Sequence, residues 1–144
     1  MLAVGLGFGT ALAGDAAVPT ELYIEKAAIT DMFEVEAGKV AAQKATNEEV
    51  RQFGQEMAED HADTSTKLKE ALANAGTNTT VPTQLDSEHQ AKLDQLKAAS
   101  GAEFDQLYVD TQLKGHEEPL ALHEGYSQGG ENEKLKGIAA RTAS

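Results

Sequence analysis

Apolar and small residues recur every three or four positions along most of this chain, the spacing that places them on one face of an α-helix. The first such run extends from Thr20 and contains Ile24, Ala27, Ala28, Val35, Gly38, Ala42 and Ala45. The second contains Val50, Phe53, Met57, His61, Thr64, Leu68 and Leu72. Gly76 follows it, and glycine is a common residue just after a helix. The pattern therefore predicts two long helices.

The second half of the chain has weaker versions of the same pattern. A short run ends at Leu96, and a longer one contains Phe104, Tyr108, Leu113, His116, Leu120 and His123. Pro119 lies inside the longer run, where proline removes a backbone hydrogen bond and kinks a helix. Leu135 and Ile138 begin a last helix. The loop between residues 77 and 85 has no helical period.

Helix starts are indicated by a threonine or serine followed three positions later by glutamate or glutamine. This capping-box pattern occurs at Thr46, Ser87 and Ser100, and Thr20 is a candidate N-cap for the first helix. No segment alternates in the manner of a strand. We expect an all-α fold, an antiparallel four-helix bundle with a short extra helix in the central connection, forming one domain over residues 20–144.

The N-terminal residues indicate export. Leu2 to Leu12 form an apolar run, and Ala11-Leu12-Ala13 has the small-x-small pattern of a cleavage site. The run is too short for a permanent membrane span. Residues 1–13 are interpreted as a signal peptide whose positively charged first part is missing, and the mature protein is expected in the periplasm or otherwise outside the cytoplasm.

Charge and cysteine content narrow the classes of partner. The chain has 24 acidic against 12 basic residues and a net charge of −12, so it repels phosphate backbones, and this disfavours nucleic-acid binding. A metal ion or another cationic partner is compatible with this negative charge. There is no cysteine, which excludes disulfides, thiolate metal sites and thiol catalysis.

The candidate chemistry lies at two histidines on apolar stripes. His61 has Asp60 beside it, His116 lies on the predicted third long helix, and Glu34 lies at the edge of the first helix face. If their helices face one another, these four residues could hold a transition-metal ion, since such nitrogen and oxygen ligands suit iron, zinc, copper or manganese. The alternative is a hydrogen-bond network that holds the bundle in register without a metal.

Several kinds of active site are disfavoured. A di-iron site needs Glu-x-x-His pairs, but Ala58 lies three residues before His61 and Leu113 three before His116. Hydrolase and phosphate-loop motifs are absent from the sequence. His123 is two turns after His116, and with Pro119 between them we interpret the pair as a solvated polar face.

Three stretches resemble a bacterial exported family known as domain of unknown function 4142, which is regarded as ferritin-like. They are Glu34–Ala41, Met57–His61 and Phe104–Tyr108 leading to His116. The resemblance implies a four-helix ferritin-like bundle with polar residues at Glu34, Asp60, His61 and His116. Two residues depart from the family pattern, His123 and Pro119. The family's last helix also continues further, so the last helix here is expected to be incomplete and its uncovered apolar groove to favour self-association.

These observations lead to one functional hypothesis and two alternatives. The first is an exported, non-enzymatic envelope or stress-related protein that binds a metal in the bundle interior. The second is a metal-dependent redox enzyme that uses the same residues. The third is a protein-interaction module with a homo-oligomer or an envelope protein as partner.

Overall fold

A computed structural model describes residues 17–143, and this part of the chain contains six α-helices and no strand, so the all-α prediction is confirmed. The helices are α1 (Thr20–Lys44), α2 (Glu48–Ala75), α3 (Ser87–Ala98), α4 (Gly101–Gly115), α5 (Glu117–Gly129) and α6 (Glu133–Thr142). The predicted signal peptide at residues 1–13 lies outside the described residues. The predicted short helix in the central connection is α3.

The longest helices, α1 and α2, form a tightly packed antiparallel pair. They approach most closely at two glycines, where a β-carbon added to Gly38 would lie 2.5 Å from the carbonyl oxygen of Gly54. Further along the pair, Asp31 contacts His61. Since lower numbers on α1 meet higher numbers on α2, the two helices run in opposite directions. Any side chain at these glycines would push the backbones apart.

Helix α1 passes through two apolar clusters, one on each half of its length. The first cluster joins the beginning of α1 to α2, α5 and α6 through Tyr23, Ile24, Ala27, Ala28, Leu68, Leu72, Tyr126, Leu135 and Ala139. The second joins the end of α1 to α3 and α4 through Phe33, Ala37, Ala41, Ala45, Leu93, Leu96, Phe104 and Tyr108. Burial of these side chains is the main stabilising contribution to the fold, and α1 is the helix that both clusters share.

The start of α2 differs by one residue from the predicted capping box. Asn47, rather than Thr46, is the N-cap, and its side chain accepts hydrogen bonds from the backbone of Glu49 and Val50. Thr46 instead donates from its hydroxyl and its backbone N–H to the carboxylate of Asp105 on α4. A long-range contact therefore takes the threonine that the local pattern assigned to the cap.

The other helix ends agree with the sequence predictions only in part. Asp86 caps α3 in place of Ser87, while Ser100 stands at the N-cap of α4 without a capping hydrogen bond. Thr20 is the first residue of α1 rather than its N-cap. The predicted end of α2 is confirmed, because Gly76 adopts the left-handed conformation with φ of 70°.

The predicted third long helix is divided into α4 and α5 at His116. Pro119 lacks a backbone N–H, and its ring would clash with the carbonyl group four residues earlier, at Gly115. The chain accordingly leaves α4 after Gly115 and starts α5 at Glu117, with Pro119 in its first turn, where no N–H is needed. The prediction of one kinked helix was wrong in this respect.

The last helix forms where the pattern placed it. Leu135, Ile138 and Ala139 are buried on α6, and Asn132 caps it by accepting from the backbone of Lys134 and Leu135. The helix packs against α2 and α5. No helix within residues 17–143 combines the length and apolar character needed to cross a membrane.

Candidate functional site

A set of buried polar side chains lies where α1 passes from one apolar cluster to the other. We call this set the polar layer and define it as Asp31 and Glu34 on α1, His61 on α2, Gln112 on α4 and His123 on α5. Four of the five are at most 7% exposed, and His61 is partly buried. Because buried polar groups are unfavourable without partners, the contacts of each member decide what the layer can do.

Asp31 and His61 form a hydrogen-bonded pair across the α1–α2 contact, with 2.8 Å between the Asp31 Oδ1 and His61 Nδ1 atoms. Burial raises the pKa of the Asp31 carboxyl, and the hydrogen bond and charge of His61 only partly oppose this rise. Burial lowers the pKa of His61, but the hydrogen bond to Asp31 and nearby negative charges outweigh it, so this pKa is raised overall. The pair therefore holds its protons more firmly in the folded protein than in the unfolded chain.

Glu34 is held from the opposite side, by α4. The side-chain amide of Gln112 donates to the Glu34 Oε2 atom over 2.7 Å, and both side chains are buried. Burial, followed by the charge of Glu34, raises the pKa of the neighbouring Tyr108 hydroxyl. A buried carboxylate on α1 thus lies one helical turn from Asp31 and close enough to His61 to raise its pKa.

His123 belongs to the layer through α5. Its Nδ1 atom lies 3.0 Å from the Tyr23 hydroxyl. Burial, together with the positive charge of His61, lowers the pKa of His123 to about 4. Tyr23 is stacked on Tyr126, whose hydroxyl contacts Thr20 over 2.7 Å. His123 is therefore a neutral, buried imidazole at physiological pH.

Of the four residues predicted to bind a metal, the structure brings two together. Glu34 and His61 belong to the polar layer, whereas Asp60 is exposed on the outer side of α2. His116 is also exposed, at the junction of α4 and α5, and its Nδ1 donates to the Gln112 backbone carbonyl over 2.7 Å. The expectation that His116 faces the interior was wrong, because the helix ends there.

His123, which was predicted to lie on a solvated face, is buried, whereas His116 is exposed. His123 is 7% exposed, so that interpretation was also wrong. Asp31 and Gln112 were missed altogether. Asp31 follows Ala27 by four positions and precedes Glu34 by three, so its place on the buried face of α1 could have been read from the helical spacing.

Two buried oxygen atoms of the layer, and a third on the neighbouring Tyr108, have no hydrogen-bond partner among the described residues. They are Asp31 Oδ2, Tyr108 Oη and Gln112 Oε1. Most buried polar atoms in folded proteins have a partner, so this concentration in and beside one layer is unusual. As the side chains lie, however, residues 17–143 contain no group of three or more His, Asp and Glu that could hold a metal ion.

Comparison with known proteins identifies the fold and the family. The chain is similar to a protein from Streptomyces coelicolor, described as a candidate secreted protein (DUF305), with a TM-score of 0.70 at 13% identity over 85% of this chain and 81% of that one. At that identity the likeness concerns the fold alone. A search of curated proteins gives no significant match. The model of the family described as domain of unknown function (DUF4142) matches residues 9–144, and the chain belongs to that family.

Proposed function

We propose that this protein is an exported, non-enzymatic helical-bundle protein of the cell envelope that binds a transition-metal ion at His61. The observation that carries the proposal is the Asp31–His61 hydrogen bond. Metal-binding histidines usually donate one ring N–H to a carboxylate, which fixes the tautomer and leaves the other nitrogen free for the ion. In this protein Asp31 takes that supporting role, whereas Asp60, which the sequence predicted as a metal ligand, is exposed.

Glu34 is the proposed second ligand. It lies one turn after Asp31 on α1, and its negative charge acts on His61. Its present partner, the Gln112 amide, would have to release one carboxylate oxygen when the metal enters. Nitrogen and oxygen ligands of this kind suit zinc, iron, copper or manganese. His116 and Asp60 remain proposed outer ligands that reach the ion only if their side chains move inward.

Export and a ferritin-like arrangement belong to the same proposal. The apolar run at Leu2–Leu12 supports a signal peptide, and the similar S. coelicolor protein is described as a candidate secreted protein. We infer from that run that the mature protein lies in the periplasm or is otherwise exported. The antiparallel α1–α2 pair, followed by the short α3 and then by α4–α6, is compatible with a ferritin-like four-helix bundle in which α4 and α5 together replace one helix.

Metal analysis of the untagged chain tests the proposal. We expect near-stoichiometric Zn²⁺ or Cu²⁺ by elemental analysis after incubation and dialysis, and loss of the metal in His61→Ala. His89→Ala is the matched control, because His89 forms a 2.8 Å pair with Asp86 at the protein surface. Circular dichroism verifies that each variant is helical. Absence of metal in the wild type, or equal loss in both variants, would contradict the proposal.

A structural role for the polar layer is the second candidate, and the Glu34–Gln112 hydrogen bond favours it. Together with the Asp31–His61 pair, this bond ties α1 to both α2 and α4 and so holds the helices in register. In that case His61→Ala lowers the free energy of unfolding without any change in metal content. Metal analysis, together with urea unfolding of the same variants, therefore separates the two candidates.

A further inference from the structure

Asp31, which contacts His61, also lines a surface groove that has the features of a ligand site. It lies between α1, α2, α3 and the connection before α3, is open to solvent, and has a volume of about 560 Å³. We call it the α1–α3 groove. Its size falls in the range of cavities that bind drug-sized molecules, about 300–1,000 Å³. Its lining includes charged, polar and apolar side chains, so the ligand class can be argued from the chemistry.

The groove is lined by two lysines whose ammonium groups form no ion pair or hydrogen bond within the described part of the chain. Among the described residues most lysines form ion pairs or donate to backbone carbonyls, while the ammonium groups of Lys26, Lys69, Lys97 and Lys114 do neither. Lys69 on α2 and Lys97 on α3 both line the groove. The charge of Lys69 acts on the Asp31 carboxyl and opposes the rise of its pKa, but neither lysine forms an ion pair with a described residue. In a chain of net charge −12, two cations at one cavity favour an anionic group on the ligand.

Asp31 adds the opposite charge to the floor of the groove. Its side chain is 4% exposed, and its Oδ2 atom has no partner, since only Oδ1 bonds to His61. Leaving a buried carboxylate oxygen without a partner is costly. A ligand donor would satisfy Oδ2 after a small movement of the Asp31 side chain toward the groove, because this atom is covered in the structure. A primary ammonium group matches both the charge and the need for a compact donor.

The rest of the lining is mixed, with polar side chains that include Glu36 and with an apolar part. Met32 and Val35 from α1 and Leu93 from α3 line the groove between the charged residues. Aliphatic side chains of a ligand would be removed from water against this surface, which favours binding. The groove therefore combines a site for a cation, two sites for an anion and an apolar surface.

We propose that the α1–α3 groove binds short peptides that have a free amino terminus, a free carboxyl terminus and aliphatic side chains. The ammonium group bonds to Asp31, the carboxylate lies between or against Lys69 and Lys97, and the side chains pack on Met32, Val35 and Leu93. The proposal does not depend on metal binding, because it uses the oxygen of Asp31 that His61 leaves free.

Isothermal titration of the full chain with leucyl-leucine tests the proposal. We expect saturable binding that becomes at least about tenfold weaker for N-acetyl-leucyl-leucine and for leucyl-leucine amide, since each lacks one charged contact. No saturable binding of leucyl-leucine at millimolar concentration would overturn the proposal, as would equal binding of all three compounds.

Matched double variants locate the site. Lys69→Ala with Lys97→Ala is expected to weaken leucyl-leucine binding about tenfold or more. Lys26→Ala with Lys114→Ala removes the same charge from the other two unpaired lysines and should leave the affinity within about twofold of wild type. Equal effects of the two variants would overturn the assignment to the groove. Neither pair contacts His61, so metal content remains a separate readout of the proposed metal site.

Discussion

Replacement of His123 by phenylalanine is expected to change how the stability of this protein depends on pH. The imidazole is 7% exposed and its pKa is lowered from 6.5 to about 4, first by burial and then by the charge of His61. A histidine with a lowered pKa contributes stability that is present above pH 6.5 and is lost as the pH falls through its folded-state pKa. His123→Phe keeps a planar ring and removes this titration.

The magnitude follows from the size of the pKa change. Each tenfold change in proton affinity corresponds to about 1.4 kcal/mol, so a fall from 6.5 to about 4 amounts to about 3 kcal/mol lost by the wild type between these pH values. At pH 7 the variant is less stable by about 1–3 kcal/mol, because the Tyr23 hydroxyl loses its partner. The two proteins should therefore approach equal stability near pH 4.

Urea unfolding followed by far-ultraviolet circular dichroism, repeated at intervals from about pH 7.5 to 4, measures this difference. Carboxylates whose pKa values are lowered, such as Asp86, contribute to both proteins and cancel in the comparison. His116→Phe is the control, because His116 is exposed. Parallel curves for the wild type and His123→Phe between pH 6.5 and 4 would refute the reasoning.

Three further changes test other parts of the structure. Gly38→Ala places a methyl group 2.5 Å from a backbone oxygen of α2, so the free energy of unfolding measured in urea should fall by about 1–3 kcal/mol. Gly137→Ala is the control: its methyl group meets only a flexible side chain, and the free energy of unfolding should rise by up to about 1 kcal/mol. Gly76→Ala forces alanine into a left-handed conformation and should cost about 1–2 kcal/mol in thermal unfolding, and no loss would contradict the assigned helix end. Asp31→Asn removes the negative charge that raises the pKa of His61. A histidine with a raised pKa contributes stability that is present below pH 6.5 and is lost as the pH rises through the folded-state pKa. The wild type should exceed Asp31→Asn by about 2 kcal/mol near pH 6 and by less near pH 8, and an equal difference at both would exclude this role for His61.

The positions of the helices could be predicted from local spacing, while their ends depended on distant residues. The pattern of apolar residues located α1, α2, α3 and α6, and Gly76 ended α2 as expected. Thr46 and Asn47 are both suitable caps, and the choice between them is made by Asp105, which is 59 positions from Thr46. No reading of neighbouring residues contains that information.

The candidate site was harder to predict because one of the predicted long helices is broken in the middle. His116 and His123 share one face only if one helix continues through Pro119, and the division at His116 exposes the first and buries the second. The carboxylate beside His61 was sought next to it in sequence, at Asp60, but comes from α1 at Asp31. Helical spacing on α1 indicates that Asp31 is buried, but only the packing of α1 on α2 gives its partner.

The polar layer is the part of this fold that stability alone explains least. Apolar side chains at Asp31, Glu34 and Gln112 could join the two clusters of α1 into one core, and replacing a buried ion pair by apolar residues is often neutral or stabilising. The layer instead leaves two buried oxygen atoms without partners among the described residues, and a third lies beside it on Tyr108. One of them belongs to Asp31, which both supports His61 and lines the α1–α3 groove. A single carboxylate at the junction of an interior site and a surface groove gives a physical reason to seek function there, and its two oxygen atoms can be tested separately, one by metal content and one by peptide binding.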